Sequence, residues 1–167
     1  MLKICNAGTA EDCISCNNKC QECRHFAECD YPWISEIWKK NSKLLTPLIP
    51  GWVKPTFREG KIVSYTGKYD FCIFNAPKRK DTITIQDICI SEEGRGQGIA
   101  RKLLTELMNM YDRDIVAKCI KGSSADSFWS HLGVKIGEEP SKQSTLCIYQ
   151  VDNPNKKQVK FSLWEGI

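Results

Sequence analysis

Between Thr82 and Leu107 the chain reads TITIQDICISEEGRGQGIARKLLTEL, and this is where its residue types point most directly to chemistry. Ile83 and Ile85 fall on odd positions, Ile88 and Ile90 on even ones, so the alternation slips by one residue at Gln86-Asp87. A β-bulge produces that slip. It splays the strand from a neighbour and leaves backbone N–H and C=O groups free. Glu92-Glu93-Gly94 then turns the chain into Arg95-Gly96-Gln97-Gly98-Ile99-Ala100, which runs straight into a helix. Gly96 and Gly98 remove side chains where the backbone must approach something closely. The first-turn N–H groups and the helix dipole favour an anion there, most simply a pyrophosphate.

The second cluster is at the start of the chain. Six of the 10 cysteines, Cys5, Cys13, Cys16, Cys20, Cys23 and Cys29, lie in the first 29 residues. Two CxxC steps, Cys13/Cys16 and Cys20/Cys23, each offer paired thiolates to one metal, and four thiolates complete a tetrahedral zinc site. Cys13, Cys16, Cys20, Cys23 and Cys29 are therefore the candidate metal ligands. The three-residue gap between the pairs would need a tight knuckle. An iron–sulfur cluster is the alternative, because Cys16-x3-Cys20-x2-Cys23 is the spacing of radical-SAM enzymes. Disulfides or free redox thiols are a third reading and need an oxidising compartment. A closed site of this kind would pin a polar segment, or form a lid facing the substrate. The other four cysteines, Cys72, Cys89, Cys119 and Cys147, sit inside apolar runs and read as strand filler.

The elements that must position these groups follow from the pattern. Residues 1–31 form a Cys-rich segment and 32–167 the main domain. Apolar spacing predicts a helix from Trp33 to Leu45, with Pro47 and Pro50 forbidding continuation. Residues 46–59 read as a loop wrapping the surface. Strand-like runs cover Lys61–Tyr65, Phe71–Phe74, Thr82–Ser91, Asp114–Ile120, Ser144–Val151 and Gln158–Trp164. An amphipathic helix runs from Gly98 to about Tyr111, and a short one from Ser124 to Leu132 ends at Gly133 as C′ residue. The sum is an α+β (mixed α/β) layer fold.

In that context the segment Arg95-Gly96-Gln97-Gly98-Ile99-Ala100 resembles the R/Q-x-x-G-x-G/A signature of the GNAT superfamily of N-acetyltransferases. Ala125-Asp126-Ser127-Phe128-Trp129, followed by Gly133, is similar to the family's later A-N-x-F-Y-x-x-x-G helix. The resemblance spans about residues 33–150. It implies a central, mostly antiparallel sheet with a splayed, bulged strand, flanked by helices, and acetyl-CoA as co-substrate. It implies that Ile88, Cys89 and Ile90 pair through their backbones with the pantetheine arm. The N–H of Ile90 would polarise the thioester carbonyl. N–H groups from Arg95 to Ala100 would hold the pyrophosphate, with Asp126 and Trp129 lying beside the cofactor.

The sequence departs from the pattern at the family's usual acid, a tyrosine, where Trp129 stands. An indole donates a hydrogen bond but releases no proton at neutral pH. Ser127, His131 or water are the substitutes. Asp87 and Glu92 are candidate bases, acting directly or through water, although Glu92 also suits a solvated turn and Asp87 the bulge donors. Trp33, Trp38 and Trp52 would line an acceptor groove or simply pack.

The reading is a direct N-acetyltransferase acting on a small-molecule or protein amine. The alternatives are a non-catalytic CoA-binding or adaptor module with a metal-stabilised N-terminus, and a nucleobase-modifying acyltransferase. The chain has 167 residues, 41% apolar and 26% charged, which suits one globular domain. With 24 basic against 20 acidic residues the net charge is +4, mild enough that nucleic acid is not demanded. The basic clusters at Lys78-Arg79-Lys80 and Lys156-Lys157 read as solvated turns. No apolar run is long enough for a membrane span, and a cytoplasmic location is expected.

Overall fold

A computed structural model describes residues 31–42, 45, 56 and 59–157. The cysteines from Cys5 to Cys29, Trp52 and the strand expected at Gln158–Trp164 lie outside the described residues. A helix, α1 (Tyr31–Lys40), comes first, followed by strands β1 (Ile62–Val63), β2 (Asp70–Asn75) and β3 (Thr82–Ile90). A 3-10 turn at Glu92–Gly94 leads into α2 (Ile99–Tyr111) and β4 (Asp114–Ile120). The chain continues with α3 (Ser124–Leu132), β5 (Val134–Pro140) and β6 (Thr145–Val151).

The six strands form one sheet in the order β1-β2-β3-β4-β6-β5. Only β3 and β4 are parallel, so the sheet is mixed and mostly antiparallel, as expected. Two apolar layers hold it. On one face α2 buries Leu103, Leu104 and Leu107 against Phe74, Ile83, Ile85 and Ile115, and Trp129 of α3 joins the same cluster. On the other face Ile34 and Ile37 of α1 pack on Ile62, Phe71, Ile73 and Cys89. Each such side chain removed from water contributes about 1.5–3 kcal/mol. The four described cysteines are all buried, as strand filler should be.

Three local features differ from expectation. The first helix stops at Lys40 rather than Leu45, because Asn41 caps it. Its N–H donates to Trp38 O (2.9 Å) and its side-chain amide to Ile37 O (2.8 Å). A strand at Val134–Pro140 is present where no strand was expected. Its Gly137, two glutamates and terminal proline mask it, and it survives because it is an edge strand paired along β6. Gly133 is extended (φ −145°) rather than left-handed. Glycine is needed there for a close approach: a Cβ would meet Gln150 O at 2.2 Å.

Candidate active site

The strand register shows why the site lies on β3. Ile73 pairs with Asp87 and Phe74 with Ile85, which leaves Gln86 without a partner. The bulge therefore falls at the expected slip. On the other side, β3 pairs with β4 only from Thr82↔Asp114 to Ile85↔Ala117, and beyond this the strands part. Ser91 N–H donates to Tyr69 O on the β2 side at 2.6 Å. Peptide groups alternate along an extended strand, so Ile88 and Ile90 turn their N–H and C=O away from β2, and the Ile90 carbonyl there accepts from Arg95 Nε at 3.3 Å. By the same alternation the backbone of Cys89 is engaged with β2, and its side chain is buried under α1. Cys89 thus faces away from the place its expected role requires. Burial pushes its thiol up to about 11, with Arg95 opposing and Asp87 adding to the rise.

The gap is narrow, about 70 Å³, and is lined by Ile85–Ile88 of β3, Ala117–Ile120 of β4, and Ser123, Ala125, Trp129 and Leu45. Asp87 is 5% exposed and borders it. A wider cleft of about 400 Å³ follows along the strand. Ile90, Gly94–Gly96, Gly98–Arg101, Phe128, His131 and Leu132 line it.

Gly96 (φ +75°) and Gly98 (φ +71°) shape the floor of this cleft in the left-handed region that glycine tolerates best. A Cβ at either would meet nothing within 4 Å, so the space before them is open. The first backbone bond inside α2 runs from Lys102 N–H to Gly98 O at 3.0 Å. Ahead of it, the N–H groups of residues 96–101 take no acceptor among the described residues. Arg95 differs: its N–H donates to Glu92 O at 3.3 Å. A string of free N–H groups at a helix N-terminus, flanked by Arg95, Arg101 and His131, fits a pyrophosphate.

The remaining expected residues separate. Glu92 lines a different cleft of about 210 Å³ together with Trp33, Glu36, Tyr69 and Glu93. Ser127 is exposed and lines none of these clefts; its carbonyl accepts from Ser130 Oγ (2.8 Å) and pairs with His131 Nδ1 (2.6 Å). Trp129 is buried, edge-on to Phe128, and borders the gap. Asp126 turns away from the clefts. It accepts from Tyr149 Oη (2.6 Å) and Gly122 N–H (2.8 Å), and these two bonds hold its carboxyl below the usual range. The same bond pushes the Tyr149 phenol up to about 12. Tyr149 escaped the sequence reading because nothing local marks it as the partner of a residue 23 positions away. Among the described residues no group of three His, Cys, Asp or Glu side chains is placed to hold a metal.

A model of the acetyltransferase (GNAT) family matches residues 16–127. A search among curated proteins gives no significant match. Among solved structures 82 chains match. One is the Salmonella typhimurium acetyl transferase that modifies the N-terminal serine of 50S ribosomal subunit protein L7/L12. It has 16% identity and a TM-score of 0.60, over 76% of this chain and 91% of that one. The ribosomal-protein-S18-alanine N-acetyltransferase of Escherichia coli has 15% identity and a TM-score of 0.54, over 79% and 93%. The N-acetylglutamate synthase of Neisseria gonorrhoeae, complexed with coenzyme A and N-acetyl-glutamate, has 12% identity and a TM-score of 0.55, over 73% of this chain. The chain spans 33% of that synthase and 64% of a nourseothricin acetyltransferase. At these identities the likeness is one of fold.

Proposed function

The chain belongs to the GNAT family of acetyltransferases, and we propose that it passes an acetyl group from acetyl-CoA directly to a primary amine. The observation that supports this reading is the order of parts along β3 and the loop after it: Asp87 at the bulge, then the N–H groups of Ile88 and Ile90 that neither neighbouring strand pairs, then the open N–H cradle at residues 96–100. In this reading the cradle holds the pyrophosphate of the donor. The amide-bearing arm takes the place of the missing β4 neighbour and pairs with the backbone of Ile88 and Ile90, and the N–H of Ile90 donates to the thioester carbonyl. The amine must lose a proton, since an alkylammonium has a pKa near ~10. Asp87, in the gap wall, is assigned that task, directly or through water; Glu92 is on the wrong cleft for it.

No acid is assigned. Trp129 has no proton to give, Ser127 is remote, and Asp126 is held ionised by Tyr149. A thiol has a reference pKa near ~8.5, below the ~10 of the attacking amine, so the thiolate can leave unprotonated and takes its proton from solvent afterwards. The acceptor is proposed only as an amine, small or at a protein terminus. Zinc or iron–sulfur at Cys13–Cys29 remains a proposal from spacing, tested by metal analysis of protein purified without oxygen.

Calorimetric titration with acetyl-CoA and with free CoA, followed by an amine screen, tests the reading. Micromolar binding of the donor and turnover with any amine is the expected result. The substitution of tryptophan for the family tyrosine favours a second reading, a CoA-binding module without turnover. Donor binding with no acetyl transfer to any amine would select it.

A further inference from the structure

Arg95 opens the glycine loop, and a cation beside a polyanion site invites the role of phosphate ligand. Two of its three guanidinium nitrogens are engaged otherwise. The Nε donates to Ile90 O at 3.3 Å and Nη2 to Asn41 Oδ1 at 3.0 Å, across 54 residues of sequence. Asn41 is oriented to receive it: its Nδ2 is committed to Ile37 O, which leaves the oxygen facing the guanidinium. Ile37 is itself buried against the sheet, so the contact is anchored in the core beneath α1. One planar fork thus joins the end of β3, the loop and the C-terminus of α1.

The joint has a consequence for binding. Gly96 and Gly98 leave the loop many alternative backbone conformations, and fixing them costs entropy each time a ligand is held. A loop fixed beforehand binds more tightly, with no new contact to the ligand. We infer that Arg95 is a positioning residue which, with Asn41, latches the glycine loop to α1 and keeps the cradle open before the donor arrives. The inference rests on the reading of that loop as the donor cradle.

The test uses the full chain with Asn41→Ala, Asn41→Asp, Arg95→Lys and the Asn41→Ala/Arg95→Lys double variant, acetyl-CoA being the probe. Arg95→Lys keeps the charge and loses the fork. We expect Asn41→Ala and Arg95→Lys each to weaken acetyl-CoA binding about 3- to 10-fold, in proportion to the loss of one charge-assisted hydrogen bond. For Asn41→Ala, whose residue lies outside the cradle, the amine KM and kcat stay within about twofold. The double variant is no weaker than the poorer single one, and Asn41→Asp, which keeps an acceptor, retains affinity. Amide exchange of Gly94 and Arg95, whose N–H groups donate to Ser91 O and Glu92 O, is faster in ligand-free Asn41→Ala than in wild type. Multiplying effects in the double variant, or Asn41→Ala with unchanged affinity and unchanged exchange, would overturn the latch. Should wild type bind no acetyl-CoA, the donor-site reading falls, and exchange alone decides whether the latch exists.

Discussion

Gly98 shows how one position separates backbone strain from ligand contact. A Cβ there strikes nothing in the protein, so Gly98→Ala costs only the left-handed conformation, roughly 1–2 kcal/mol. Gly98→Val adds branches over the N–H groups that the donor needs. Acetyl-CoA affinity is expected to fall about tenfold or more from Ala to Val, while the two melting temperatures stay close; equal affinities would mean that the open space is not the anion site. Tyr149 gives a second check. A carboxylate bonded to the phenol opposes phenolate, so an ultraviolet pH titration should find Tyr149 pushed up to about 12. Asp126→Asn removes that charge and brings one tyrosine back toward ~10. The glycines were legible in the sequence because left-handed backbone is a demand that few residue types meet. Tyr149 and Asn41 were not, because each acquires its partner only through the fold.

The strands and helices were legible where periodicity was strong. The one-residue slip at Gln86 located the bulge, and Ile99–Tyr111 formed the expected amphipathic helix. β5 was hidden because an edge strand with Gly137 and Pro140 carries little apolar alternation. That element hangs on Gly133, where the end of α3 meets the backbone of β6. Gly133→Ala forces a Cβ into Gln150 O, a rigid backbone atom paired opposite Val134. Overpacking of this kind costs about 1–3 kcal/mol, and thermal melting should register roughly 2–4 °C for each kcal/mol in a chain of this size. An unchanged melting temperature would show that β5 can shift freely, and the edge would then be unfit to support α3.

The molecule works as a sheet held together at one end of its parallel pair and opened at the other. Thr82–Ile85 and Asp114–Ala117 are zipped, while the strand ends beyond them diverge and frame the gap. Opening one end requires the zipped end to be secured, and the turn after β6 does this. Asn153 N–H (2.9 Å) and Lys156 Nζ (2.9 Å) both donate to Asp114 at the start of β4, and Asn153 Nδ2 reaches Met108 O at the end of α2. Burial works against the ionised form of Asp114, but the Asn153 and Lys156 bonds outweigh it, and its carboxyl is held below the usual range. A carboxyl depressed in the folded state stabilises above its unfolded pKa, near ~3.9, and that contribution is lost as pH falls through the lower folded value. The melting temperature of Asp114→Asn should therefore lie below wild type at pH 7, and the difference should shrink steadily below about pH 4. A difference that persists at pH 2 would assign the effect to the hydrogen-bond shape of the side chain rather than its charge. Because this clasp sits at the far end of the β3–β4 pair, its loss should lower stability while leaving acetyl-CoA affinity of the folded protein unchanged. Calorimetry at 20 °C on the same variant checks that separation of the two ends.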